Sequence, residues 1–233
     1  MDHEPETHAR RSWFAPAAAV VLVLTVLSSL QPFGPTVLRA ASGLVLGSVM
    51  VAIAAWINRR EGCRRFVADG TLVLGALATG GLFGTGFIFL PLLDGLLADS
   101  PQTLPTILQP PLGINLSIYY FVANPLLETV IIPLALLTNW HTSRRRTPLI
   151  MTALVFYGMR AWTYLYFAPI FMGLAVLPAG QPFSPAILEQ ISQFTNLSWV
   201  RLFIDGLTCV GFLLALRACI PVTRRSGPAT PGP

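Results

Sequence analysis

Long apolar runs separated by clusters of arginine limit what this chain can fold into more than any other feature of its sequence. All fifteen basic residues are arginines. Twelve of them fall in alternate connections between the runs, namely Arg10, Arg11, Arg59, Arg60, Arg64, Arg65, Arg144, Arg145, Arg146, Arg217, Arg224 and Arg225. The other connections, residues 31–36, 98–113 and 178–196, contain none. Short arginine-rich loops stay on the cytoplasmic side of a membrane, so the pattern predicts that both termini lie in the cytosol.

Six segments are long and apolar enough for membrane helices, which need about 20 mainly apolar residues. They are residues 14–30, 36–57, 71–97, 114–140, 148–177 and 197–220. Hydrophobic residues make up 54% of the chain and charged residues 11%, whereas about a quarter of a soluble domain is charged. We therefore predict an all-α fold, a polytopic membrane helix bundle of six transmembrane helices.

The first segment has a second interpretation, because it is short and follows Arg10 and Arg11 as a cleaved signal peptide would. The sequence shows no small-x-small cleavage site before Gln31 and Pro32. This favours a retained span over a removed leader.

The composition divides the chain into two parts joined by a basic stretch. Residues 14–65 form a hairpin of two spans and a basic loop, with no ionisable residue at mid-depth. Residues 66–220 hold four spans and every unusual polar residue, so we predict that this four-helix core is the functional unit. Residues 1–13 and 221–233 are predicted to be cytoplasmic tails, and we predict disorder at both ends, in residues 1–10 and in the tail 221–233.

The net charge of +5 points to an anionic partner. The arginines are spread over four loops and follow the membrane topology, so we expect lipid headgroups of the bilayer as their partners and no nucleic acid. The three cysteines, Cys63, Cys209 and Cys219, offer no pair on the oxidising side, and we expect free thiols. In the glycine-rich third span, Gly80 and Gly84 form a small-xxx-small pair that predicts close helix contact.

Ionisable residues inside the spans are the main indication of a site, because charges are costly in hydrocarbon and usually face the bundle interior. Glu128 lies near the middle of the fourth span, Arg160 near the middle of the fifth, and Asp205 slightly to the outer side of the middle of the sixth. Three helices therefore place a carboxylate, a guanidinium and a second carboxylate at similar depth. These three residues are the candidate catalytic groups.

Further polar side chains surround these groups at helical spacing. Asn124 precedes Glu128 by one helical turn and Arg201 precedes Asp205 by one turn, so each pair shares a face. Tyr157 and Tyr164 flank Arg160 on its helix. We expect these four neighbours, Asn124, Tyr157, Tyr164 and Arg201, to bind a substrate.

Two interpretations of the buried charges remain open. In the structural one, Glu128 pairs with Arg160 and Asp205 pairs with Arg201, and the two neutral pairs fix the packing of the bundle. In the functional one, the same groups line a cavity and exchange a proton with an apolar substrate that enters from the lipid. Four charged groups at similar depth exceed what packing requires, which favours a site modestly.

The sequence also restricts the chemistry of such a site. There is no lysine, so no Schiff base can form, and His3, His8 and His141 all lie outside the spans. No cluster of His, Cys, Asp and Glu has the spacing of metal ligands. We therefore expect no metal and no cofactor, and catalysis by carboxyl, guanidinium, phenol and amide groups.

From the third span onward the order of features resembles the DUF1772 family of small four-helix membrane proteins, which includes the fungal anthrone oxygenases. The motifs that carry this likeness are a glycine-rich helix from Thr79 that ends at Pro91, the pair Asn124-Pro125, a helix with Tyr166-Phe167-Ala168-Pro169, and a last helix opened by Asn196, Trp199 and Arg201. The resemblance implies a monooxygenase of secondary metabolite biosynthesis that oxidises a lipophilic polycycle of the anthrone type without a cofactor. Glu128 or Asp205 would then remove the proton and Arg160 would stabilise the enolate.

Two alternatives stand beside this hypothesis. The string Ala123-Asn124-Pro125-Leu126-Leu127-Glu128 is similar to that of small membrane-bound meroterpenoid terpene cyclases. That likeness implies acid-initiated cyclisation of a terpenoid, with Glu128 as the proton donor and Asp205 as the later aspartate. The third hypothesis is a non-enzymatic membrane accessory or transport protein, whose buried charges only pair between helices.

Overall fold

The computed structural model describes residues 5–29, 36–108, 119–120, 122–175, 177 and 182–218, and all of its regular structure there is helical. The longer helices are α1, Pro5–Ser29, α2, Thr36–Asn58, and α3, Glu61–Asp99. A short helix α4, Leu104–Leu108, follows. The remaining helices are α5, Val122–Asn139, α6, residues 143–175, and α7, Pro185–Arg217. Cys219, Arg224, Arg225 and the predicted disorder of residues 221–233 lie outside the described residues.

The all-α prediction is confirmed, and four helices, α2, α3, α5 and α7, are long and apolar enough to cross a membrane. Helix α1 contains a shorter apolar stretch, Phe14–Leu27, and α6 carries four arginines along its length. Large apolar side chains such as Leu77, Phe203 and Val210 are exposed on the outer surface of these helices. An apolar exterior over several long helices is typical of a multi-pass integral membrane protein.

Four helices begin well before the residues predicted by hydropathy. Helix α1 begins at Pro5 rather than at residue 14, and α3 begins at Glu61 rather than at residue 71. Helix α6 begins at Ser143 rather than at residue 148, and α7 begins at Pro185 rather than at residue 197. The predicted disorder of residues 1–10 is therefore wrong from Pro5 onward. At 39 residues α3 is about 58 Å long, well beyond the hydrocarbon core of a bilayer. Hydropathy detects only the apolar part of a helix, so the polar turns at these four ends were missed.

Helices α1 and α2 pack closely as a hairpin through a small-residue stripe on α2. A Cβ atom added at Gly43 would come within 2.5 Å of the carbonyl oxygen of Thr25, and one added at Gly47 would clash with the hydroxyl of Thr25. The hairpin then packs on α5, where Ala17, Val21 and Ala54 join the main apolar cluster of the bundle. The glycines therefore set the separation of α1 and α2, as expected of a small-xxx-small pair.

Helices α3, α5, α6 and α7 form the rest of the bundle, and α3 runs along α7 over much of its length. Two glycines of α3 allow this approach, because Cβ atoms at Gly75 and Gly86 would come within 2.5 Å of the Phe212 ring and 2.7 Å of Leu202. The predicted pair, Gly80 and Gly84, does not determine this approach. No atom lies near the Cβ position of Gly84, and that of Gly80 is in ordinary contact with the sulfur of Cys209. Whether a glycine contacts the neighbouring helix depends on the direction in which it faces, and the spacing of the glycines alone does not reveal that direction.

At the end of the bundle near the α2–α3 connection, a polar network joins three helices. Arg145 of α6 makes an ion pair with Asp69 of α3 at 2.7 Å and donates to the side-chain oxygen of Asn139 of α5 at 2.7 Å. The amide nitrogen of Asn139 donates in turn to the carbonyl of Ala135 at 2.9 Å. The network fixes the ends of α3, α5 and α6 relative to one another.

Apolar side chains pack together at the opposite end of the bundle. A second cluster there contains Leu93 of α3, Leu104 of α4, Leu174 of α6 and Ile191 of α7. The main cluster occupies the other half of the bundle. The space between the two clusters is where the buried polar residues of α5, α6 and α7 lie.

Candidate functional site

The site begins with a local distortion of α5 at Glu128. Residues Leu127–Ile131 form a π-helical turn, in which the N–H of Ile132 donates to the carbonyl of Leu127. The carbonyl of Glu128 would next need the N–H of Pro133, and proline has none. Pro133 thus explains both the π turn and a backbone carbonyl that has lost its helical donor.

Tyr157 of α6 supplies the missing donor. Its hydroxyl donates to the carbonyl oxygen of Glu128 at 2.5 Å. The ring of Tyr157 is partly buried beside Phe156. Tyr157 is therefore a structural residue that joins α6 to the π turn of α5, and its predicted role in substrate binding receives no support from this position.

Helix α6 contains a second π turn, Thr163–Phe167, at the level of the first. The N–H of Ala168 donates to the carbonyl of Thr163, and the next residue is Pro169, which cannot donate to Tyr164. Tyr164 of α6 and Glu128 of α5 therefore occupy equivalent positions, each five residues before a proline. π turns of this kind occur frequently at functional sites.

Glu128, Arg160 and Tyr164 form a buried hydrogen-bonded triad between these two turns. The Tyr164 hydroxyl donates to Oε2 of Glu128 at 2.8 Å and accepts from Nη2 of Arg160 at 2.6 Å. Nε of Arg160 lies 3.4 Å from the same carboxylate oxygen. The guanidinium also lies over the Tyr164 ring, 4.4 Å from its centroid. The predicted pairing of Glu128 with Arg160 is confirmed.

A cavity of about 680 Å³ lies beside this triad, against the second apolar cluster. Its volume falls within the range of about 300–1,000 Å³ that is usual for small-molecule sites. All four long helices of the core and α4 contribute to its wall, and no described residue of α1 or α2 does. Most of the wall is apolar, with polar side chains gathered where α5, α6 and α7 meet.

The cavity brings together five of the seven predicted site residues: Asn124, Arg160, Tyr164, Arg201 and Asp205. The other two, Glu128 and Tyr157, lie behind the wall. Glu128 is only 2% exposed and reaches the cavity through Tyr164 and Arg160. Both enzymatic hypotheses allowed Glu128 to contact a substrate, but in this structure Tyr164 lines the cavity and Glu128 does not.

The predicted pair of Arg201 and Asp205 does not form. The described part of the chain contains no ion pair between them within 4.0 Å, and Nε of Arg201 and Oδ1 of Asp205 are buried there without a hydrogen-bond partner. The guanidinium of Arg201 instead lies 5.3 Å from the centroid of the Tyr120 ring and 5.7 Å from that of Phe167. Buried polar atoms without partners are rare, and each needs an explanation.

Tyr120 and Thr163 are two of the wall residues that were not predicted from the sequence. Tyr120 stands between the cavity and α3, where its hydroxyl lies 3.4 Å from the Leu82 carbonyl, and Thr163 begins the second π turn. Tyr120 precedes Asn124 by one helical turn, a spacing that would have placed it on the same face. By contrast Trp199, one of the residues behind the family resemblance, donates to Asp94 at 2.9 Å and is not part of the cavity wall.

Among the residues that the structure describes, no three His, Cys, Asp or Glu side chains come together to hold a metal ion. Comparisons of the chain with protein-family models, with curated proteins and with solved structures found no match. The resemblance to the anthrone oxygenases thus stays a prediction from its motifs, and the geometry of the site carries the functional argument.

Proposed function

We propose that the chain crosses the membrane six times, with α1 and α6 as the two spans beyond the four apolar ones. The arginines of the α2–α3 and α5–α6 connections then lie in the cytosol with both termini. The cavity lies in the opposite half of the bundle, near α4. An arginine network on the cytosolic side and an apolar cavity on the other are consistent with this arrangement.

We further propose that the protein is an integral membrane enzyme that removes a proton from a lipophilic polycyclic substrate. The observation that carries this proposal is that Nε of Arg201 and Oδ1 of Asp205 are buried without a hydrogen-bond partner in the wall of a cavity of about 680 Å³. Oδ1 of Asn124 in the same wall and Oε1 of Glu128 behind it also lack a partner. Because buried polar atoms are nearly always hydrogen-bonded, this group of atoms indicates a place for the polar group of a ligand.

The reaction follows from the groups in the wall. For an anthrone-type substrate, Asp205 accepts the proton of the methylene carbon, and the electron pair moves to the ketone oxygen, where Arg160 and Arg201 stabilise the enolate. Dioxygen then adds to the carbon and takes up a proton to give a hydroperoxide. Loss of water forms the second carbonyl of a quinone. One anthrone and one dioxygen give one quinone and one water.

Glu128 acts as a positioning residue in this scheme. It holds Arg160 and Tyr164 by its carboxylate, so the guanidinium stays beside the cavity rather than turning toward Asp205. The terpenoid cyclase hypothesis needs Glu128 itself as the proton donor to the substrate. Because Glu128 lies behind Tyr164, the geometry supports the oxygenase hypothesis better.

The experiment measures quinone formation and dioxygen uptake with 1,8-dihydroxyanthrone in proteoliposomes, against protein-free liposomes as the baseline. Asp205→Asn removes the base at nearly constant shape and should lower the protein-dependent rate by about 10²- to 10⁴-fold. Asp99→Asn is the matched control, because Asp99 is an exposed aspartate at the end of α3, outside the cavity wall. Its rate should equal that of the unmodified protein.

Two results would contradict the proposal. An unmodified protein that binds the anthrone but gives no quinone above the baseline would indicate a carrier or accessory protein. Unchanged turnover in Asp205→Asn would show that another group is the base.

A further inference from the structure

The wall of the cavity includes side chains that also lie on the outer surface of the bundle. Ile88 and Leu92 of α3 are 76% and 50% exposed, and Met172 of α6 is 50% exposed, yet all three line the cavity. Residues deeper in the same wall are buried, such as Phe167 and Leu202. The cavity is therefore continuous with the outside of the bundle at an apolar edge.

This edge belongs to two helices that we propose to cross the bilayer. Ile88 and Leu92 belong to the apolar part of α3, a candidate membrane span, and Met172 belongs to the last turns of α6, beyond its π turn. At the end of the bundle nearer α4, apolar residues of the second cluster such as Leu93 and Leu174 line the cavity. A ligand in the acyl-chain layer meets the exposed edge directly, whereas a ligand that came from water at that end would meet apolar side chains first.

We propose that the cavity is loaded sideways from the lipid, through a lateral opening bordered by Ile88, Leu92 and Met172. Its ligands are then molecules that partition into the acyl-chain layer and enter the cavity between α3 and α6. The inference extends the proposed function, since it states how the substrate reaches Asp205, but it applies to any occupant of the cavity. Binding alone tests it.

The test uses a long-chain hydrocarbon that carries a photoactivatable diazirine, dissolved in the bilayer of proteoliposomes. After brief illumination, mass spectrometry measures labelling at Phe167 and Leu202, which are buried and line the cavity. The double variant Ile88→Trp with Met172→Trp fills the lateral opening and should slow labelling of these two residues severalfold. Labelling of the outer surface, for example at Leu213, should not change.

The matched control is Leu77→Trp with Met151→Trp, which places the same two rings on the exposed surfaces of the same two helices, away from the cavity. In this control variant, Phe167 and Leu202 should be labelled at the same rate as in the unmodified protein. A water-soluble, membrane-impermeant diazirine probe, supplied on either side of the membrane, should leave the interior residues unlabelled.

Unchanged interior labelling in the Ile88/Met172 variant would overturn the proposal, as would interior labelling by the impermeant probe. Circular dichroism and surface labelling verify that the variant is folded. If that double variant fails to fold, the single variants Ile88→Trp and Met172→Trp are tested in the same way. Since no chemistry is measured, a failed oxygenation assay leaves this result unaffected, and the two proposals fail separately.

Discussion

Replacement of Glu128 by glutamine tests how strongly the buried triad holds α5 to α6. Oε2 of Glu128 accepts from Tyr164 at 2.8 Å and lies 3.4 Å from Nε of Arg160. The side chains of the pair are 3% and 7% exposed, so their charges are shielded little by solvent. Removing one partner of a buried ion pair costs about 3–5 kcal/mol. The glutamine oxygen still accepts from Tyr164, which retains about 1 kcal/mol. We expect Glu128→Gln to lower the free energy of unfolding by about 2–4 kcal/mol.

A double-mutant cycle separates the pair from its surroundings. Arg160→Gln should cost a similar amount, because it leaves the carboxylate of Glu128 buried without its cation. The double variant leaves no uncompensated charge, so it should cost less than the sum of the two, with a coupling of about 1–3 kcal/mol. Reversible unfolding by SDS in mixed micelles, followed by tryptophan fluorescence, gives these values. Additive single variants would refute the reasoning, and Glu61→Gln, at an exposed ion pair of α3, should change stability by at most about 1 kcal/mol.

Three further predictions concern packing and topology. Gly86→Ala should destabilise the protein in the same assay, because its Cβ would come within 2.7 Å of Leu202, whereas Gly84→Ala meets no atom and should be neutral; equal effects would contradict the observed packing. Reporter fusions after Ile57 and Trp140 should be cytoplasmic and fusions after Leu97 and Leu177 should be on the far side; a cytoplasmic signal at Leu97 would exclude the six-span arrangement. Deletion of residues 1–57 should leave an inserted core that still takes up the hydrocarbon probe, because no described residue of α1 or α2 lines the cavity; degradation of that product would show that the core needs the hairpin.

The residues of the site were predictable because membrane burial makes polar side chains conspicuous in the sequence. Glu128, Arg160 and Asp205 are charged residues within apolar spans, which makes them easy to find in the sequence. Helical spacing places Asn124 on the same face as Glu128, and Arg201 on the same face as Asp205. Which charges pair was only half predictable. One turn of helix places Arg201 and Asp205 on a common face, but the choice of side-chain conformer, with the guanidinium against Tyr120 and Phe167, depends on neighbours from other helices.

The cavity could not be predicted from the spacing of residues in the sequence, because its volume depends on the distances between the helices. Two prolines offer a local explanation of that separation. Pro133 and Pro169 each remove a helical donor and coincide with a π turn that begins one residue before Glu128 or Tyr164. A π turn inserts an extra residue into the helix, which widens it and turns the side chains that follow. Both turns occur where α5 and α6 face each other and join Glu128 to Tyr164, and Met172, at the edge of the cavity, follows Pro169 on α6. A proline five residues after Glu128 and another five residues after Tyr164 are thus the features of the sequence that indicate both the buried triad and the cavity beside it.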